Sequence, residues 1–145
     1  MGVDVTTEIT IKRPVAAVAA YAGDPSQAPN WYENIKAVDW ETDPPVRVGS
    51  KMTFVARFLG RELAYTYEVV EFVPDERLVM RTAQGPFPME TIYSWTPVGE
   101  STRMTLRNRG EPTGFSKLAA PLMALAMKRA NRKDLHRLQA LLEAG

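Results

Sequence analysis

The 145-residue chain has no cysteine and one histidine, His136. Without cysteine there can be no disulfide, no thiolate nucleophile and no cysteine-ligated metal. A zinc site is not expected either, because zinc prefers Cys and His ligands. The same shortage argues against a Ser-His-Asp triad. No Gly-rich phosphate loop is present, and no cofactor is expected. Charge of one sign is also lacking: 18 Lys and Arg face 17 Asp and Glu, a formal net charge of +1. Such a chain has no global field to attract nucleic acid, so no nucleic-acid partner is expected. The longest apolar run, Leu118 to Met127, is far shorter than the roughly 20 residues of a membrane span. Met1 to Arg13 has no apolar h-region, so no signal peptide is expected and the expected location is cytoplasmic. The chain also lacks repeats and linkers, and its length suits one domain over residues 1–145.

What is present is a run of strands followed by a helix. Val3, Val5, Thr7, Ile9 and Ile11 recur with period two and predict an opening strand. Pro14 suits the first turn of a short helix over Val15 to Tyr21. Asp24 can cap a second short helix that starts at Pro25 and carries Trp31 and Tyr32. Alternating runs at 35–41, 51–58, 62–73, 77–82, 89–96 and 102–109, separated by Gly, Pro and Asp turns, predict six more strands. Short connections between them demand antiparallel neighbours. A long helix is predicted from Thr113 to Ala144. One strand, two short helices, six strands and a long helix describe an α+β chain whose sheet grips its terminal helix, with a hollow between the two.

Several segments carry a family resemblance. They are Ile11-Lys12-Arg13-Pro14-Val15, the stretch from Asp24-Pro25 to Asn30-Trp31, and Val48-Gly49-Ser50. Tyr67 to Pro74 is similar to a "YEVVEFxP" pattern, and Ser101-Thr102-Arg103-Met104-Thr105 to "GTRVT". Gly85-Pro86-Phe87 and the ending Asp134-Leu135 to Leu141-Leu142-Glu143 complete the set. In order and spacing the chain resembles the SRPBCC superfamily, also called START-like or birch-pollen-allergen-like, in its bacterial polyketide cyclase/dehydrase-like branch. Ser101 stands where the family has a second hairpin glycine. The resemblance implies a helix-grip fold: a seven-stranded curved antiparallel sheet around the long C-terminal helix, with two short helices after the first strand closing one end. It also implies a cavity for a hydrophobic or amphipathic small molecule. It does not name an activity, because function is grafted onto such folds site by site.

On a helical wheel His136 lies about 160° from Leu138, and so faces water. Ala120, Ala124, Met127, Asn131, Leu135, Leu138 and Leu142 form one stripe along the predicted helix. Asn131 is the polar member of that stripe and needs a partner if buried, from a strand or from a ligand. The small Ala120 and Ala124 would leave space beside it. Leu118, Leu122 and Leu125 point away from the stripe. Either a kink at Pro121 buries them, or they form a patch for a homodimer or a membrane surface. Glu62, Glu68, Glu71, Glu90, Arg57, Arg81, Arg103 and Arg107 are expected to form ion pairs on the outer face of the sheet. Met104, Leu106 and Asn108 share a face, which puts Asn108 inside the cup.

The candidate ligand-binding residues are therefore Trp31, Tyr32, Tyr65, Tyr67, Tyr93, Trp95, Asn108, Met127 and Asn131. Tyr and Trp offer apolar area with a polar tip. The expected function is binding of a small hydrophobic or aromatic, lipid- or polyketide-like molecule. One alternative is a cyclase or dehydrase in which a cavity Tyr or carboxylate moves a proton. Another is a dimerising or membrane-surface protein.

Overall fold

The computed structural model describes residues 3–58, 60–84, 88–110 and 120–144. The elements run β1 (Val3–Ile11), α1 (Val15–Ala22), a 3-10 turn (Pro25–Gln27), α2 (Ala28–Trp31), β2 (Ile35–Trp40), β3 (Lys51–Phe58), β4 (Arg61–Val73), β5 (Arg77–Gln84), β6 (Met89–Val98), β7 (Ser101–Gly110) and α3 (Ala120–Ala144). Among the described residues seven strands form one antiparallel sheet, in the order β1-β7-β6-β5-β4-β3-β2. Register shifts on β2 and at two places between β4 and β5 are of the kind that bends a sheet. The sheet curls around α3, so the chain adopts the helix-grip α+β fold.

Local chemistry sets the boundaries. Asp24 caps the 3-10 turn by accepting the Ser26 N–H at 3.0 Å. Pro14 sits just before α1 in an extended conformation, which its fixed φ permits. The β6–β7 hairpin turns at Gly99 with φ 62°, a left-handed conformation that glycine adopts without steric cost. Asp75 takes the equivalent φ of 64° between β4 and β5, which an Asp side chain tolerates.

The sheet alternates as its sequence does. On the inner face, Met104 and Leu106 are fully buried beside Trp95 and Tyr93. The outer face carries ion pairs at four of the expected residues, Glu71, Glu90, Arg81 and Arg107. Glu90 lies between Arg81 and Arg109, Arg107 grips Asp4, and Arg77 meets Glu71. Arg107 thus points outward and Asn108 inward, as the phase of β7 requires.

The C-terminal half of α3 is fastened to the end of β1. Gln139 Nε2 donates to the Thr10 carbonyl, and the Lys12 N–H donates to Glu143 Oε2, each at 2.9 Å. Arg13 Nη1 donates to the Leu142 carbonyl at 2.9 Å, a cationic cap at the helix C-terminus. Leu135 and Leu138 are fully buried and Leu142 nearly so. His136 is exposed, as the wheel expects. The predicted segment 113–119, with Leu118, lies outside the described residues. Leu122 and Leu125 are 71% and 55% exposed, so no kink at Pro121 buries them. None of the described helices is long and apolar enough to cross a membrane.

Candidate functional site

A cavity of about 240 Å³ lies between the sheet and the N-terminal half of α3. Its floor is the inner face of the sheet: Phe54 and Ala56 on β3, Tyr65 and Tyr67 on β4, Met80 on β5. Met89, Thr91 and Tyr93 on β6 and Asn108 on β7 continue it. Tyr32, Asn34 and Ile35 close one side, after α2. The roof is Met123, Ala126, Met127, Ala130, Asn131 and Asp134. These positions follow the i, i+3, i+4 spacing of one helix face.

That face differs from the expected stripe. Asn131, Leu135, Leu138 and Leu142 are buried as expected, but the small roof residues are Ala126 and Ala130, and Ala124 is not among the lining. The roof is turned roughly 80° around the helix from the buried leucines, at 100° per residue. The lower half of α3 packs on β1, whereas the upper half faces β3 to β6 across the space. Small alanines and flexible methionines there leave volume that a leucine-rich face would fill.

Seven candidate residues line the cavity: Tyr32, Tyr65, Tyr67, Tyr93, Asn108, Met127 and Asn131. Trp31 and Trp95 do not. Trp31 is fully buried behind the wall, its ring 4.1 Å from Tyr32 and 5.9 Å from Tyr93. Trp95 packs against Tyr93 at 6.1 Å and lies next to Gly23, beyond the closed end. Trp95 shares a face with Tyr93 but borders a different recess, beside the end of α1.

The polar groups are few and placed. The Tyr32 and Tyr93 phenolic oxygens are 2.5 Å apart and share a hydrogen bond. Thr91 Oγ1 donates to Asn108 Oδ1 at 2.8 Å. The Asn131 side chain is buried, and its Nδ2 has no hydrogen-bond partner among the described residues. Burial raises the pKa of Tyr32, Tyr65 and Tyr93. It pushes Tyr67 up to about 12, partly offset by the Thr91 hydroxyl. All four phenols are therefore neutral donors at physiological pH.

Asp134 is the residue that sequence reasoning missed. It is 5% exposed, lines the cavity, and accepts the Glu33 backbone N–H at 3.1 Å. Burial pushes its carboxyl up to about 6, with the Glu33 N–H pulling the other way. It stands three residues after Asn131 and four before Leu138, about 20° beyond the Met127 edge of the expected stripe at 100° per residue. The wheel centred on the leucines leaves it out, and in the sequence its segment stands out only as part of the family resemblance.

Of two other recesses, of about 460 and 490 Å³, the first shares Met89 with this cavity. Arg81, Glu90 and Arg109 wall the first, and their charges already pair with one another. The second lies among Pro44, Pro45, Pro74 and the α1 end. Among the described residues no group of three or more His, Asp or Glu is placed to hold a metal.

The fold has many solved relatives. A protein from Thermus thermophilus is 21% identical, with a TM-score of 0.84 over 97% of both chains. A START superfamily protein from Mycobacterium smegmatis is 14% identical, with a TM-score of 0.84 over 98% of both chains. An aromatase/cyclase from a Streptomyces species is 14% identical, with a TM-score of 0.82 over 99% of this chain and 94% of that one. At such identities the likeness shows the fold alone. No curated protein matches the sequence. The sequence model of one family, described as polyketide cyclase/dehydrase and lipid transport, matches residues 2–143. With that match over nearly its whole length, the chain belongs to this polyketide cyclase/dehydrase and lipid transport family of the SRPBCC superfamily.

Proposed function

We propose that this protein binds a small apolar or aromatic molecule, lipid- or polyketide-like, in the cavity between the sheet and α3. One observation carries the reading. A space walled by aromatic rings, methionines and alanines holds a few polar groups, and one of them, Asn131 Nδ2, is buried without a partner among the described residues. Ligand sites have this composition, apolar walls with sparse orienting polar groups. At about 240 Å³ the cavity is smaller than the roughly 300–1,000 Å³ of drug-sized sites. A ligand of two fused rings, or a short chain, suits it better than a sterol or a diacyl lipid.

A second reading has its own observation. Asp134 supplies the ionisable side chain that a cyclase or dehydrase needs inside the cup, and its pKa of about 6 is close to physiological pH. A carboxyl so poised can give or take a proton from a bound polyketide. The phenols of Tyr32 and Tyr93 would then hold the substrate in place.

Calorimetric titration with 2-naphthol, together with mass spectrometry of an organic extract of the purified protein, tests the binding reading. One binding site per chain, or one copurified apolar molecule, is expected. Neither being found would contradict it.

A further inference from the structure

We propose that the cavity selects uncharged ligands whose polar end both accepts and donates a hydrogen bond, a primary amide or a hydroxyl, and rejects carboxylates of the same size. The inference rests on the ligand-binding reading above and specifies its chemistry.

The polar end of the cavity is defined by two residues one helical turn apart. Asn131 is 5% exposed, and its Nδ2 has no partner among the described residues. A buried amide N–H left unpaired carries an uncompensated desolvation cost, which a ligand oxygen would remove. Three residues on, Asp134 lines the same space, its Oδ1 taking the Glu33 N–H. An ionised carboxylate has two oxygens and only accepts, so capacity remains there for a ligand donor. Side chains at i and i+3 of a helix are neighbours. One ligand group can therefore reach both, giving a lone pair to Asn131 and an N–H or O–H to Asp134.

The charge around the cavity sharpens the choice. No Lys, Arg or His is among the described lining residues. Lys128, Arg129, Arg132, Lys133 and Arg137 are all exposed on α3. Arg107 is held outside by Asp4, and Arg81 and Arg109 by Glu90. Lys133 and Arg137 act on Asp134 from the exposed side of α3, so a ligand carboxylate would meet Asp134 with no cation among the described lining residues. Like charges placed together in that way discriminate strongly between otherwise equal ligands.

The test uses three probes of one skeleton: 2-naphthamide, 2-naphthoate and naphthalene. At pH 7.5 the amide is expected to bind wild type at least about tenfold more tightly than the carboxylate. In Asp134→Asn, which keeps an oxygen for the Glu33 N–H, the gap should shrink to less than about threefold. In Asn131→Leu the affinity for the amide relative to naphthalene should fall about tenfold. Wild type binding amide and carboxylate equally, or Asn131→Leu leaving that relative affinity unchanged, overturns the inference while the binding reading stands. Failure of all three probes to bind wild type overturns both.

Discussion

Trp31→Ala is expected to lower the folding free energy by about 3–5 kcal/mol, the usual range for deleting a buried Trp. For a chain of this size that is a fall on the order of 10 °C in Tm. The ring is wholly buried and packs at a tilt on Tyr32 at 4.1 Å and on Tyr93 at 5.9 Å. It is the support behind the hydrogen-bonded phenols at the cavity wall. Trp31→Phe separates the roles. It leaves a smaller void and removes an indole N–H that has no partner where it stands. That variant should lose less than half as much stability, measured by urea unfolding. A Trp31→Ala variant as stable as wild type would mean that the ring does not support the wall.

The second large effect is a pH dependence. Asp134 has an ordinary carboxyl pKa of 3.8 when exposed and about 6 when folded. The folded chain therefore holds this proton more tightly than the unfolded chain. Between about pH 4 and pH 6 the folded state carries more protons, so its stability falls as pH rises. By about pH 7 the whole loss, at most on the order of 3 kcal/mol, is in force. Asp134→Asn removes the titration and retains an acceptor for the Glu33 N–H. Urea unfolding should find the variant about as stable as wild type at pH 4 and more stable at pH 7.5. An equal difference at both pH values would show that burial of this carboxylate carries no such cost. If the protein is an enzyme, the same variant should still bind apolar ligands while losing turnover of a polyketide-like substrate. A substrate turned over equally by both would remove Asp134 as its acid or base.

The strands are legible because each inner position announces itself with period two. Met104, Leu106 and Asn108 set the phase of β7, and Arg107 accordingly turns out to Asp4. Tyr65, Tyr67 and Tyr93 fall on the right face for the same reason. Depth is not legible. Trp95 shares a face with Tyr93, yet it lies beside Gly23 and a different recess, and Trp31 is buried behind Tyr32 and Tyr93. No local pattern encodes how far α3 stands from the sheet. The same gap explains why Ala124 is expected in the roof where Ala126 and Ala130 stand, since the wheel gives angle but not which flank is left uncovered. Asp134 lies just outside the leucine stripe, and its charge makes it look like any solvated carboxylate. Its burial depends on the Glu33 N–H, a contact from a distant part of the chain.

The central claim is that the space beneath α3 is the ligand site. NMR shift mapping with 2-naphthol, on wild type and on Ala130→Phe, tests it most directly. Ala130 is half-buried in the roof, and a phenyl ring there would occupy the space. In wild type the shifts should centre on Tyr67, Thr91, Met127 and Asn131, and the folded Ala130→Phe variant should show none of them. Shifts centred instead on the exposed Leu122 and Leu125, or unchanged in Ala130→Phe, would place the ligand elsewhere and contradict the account.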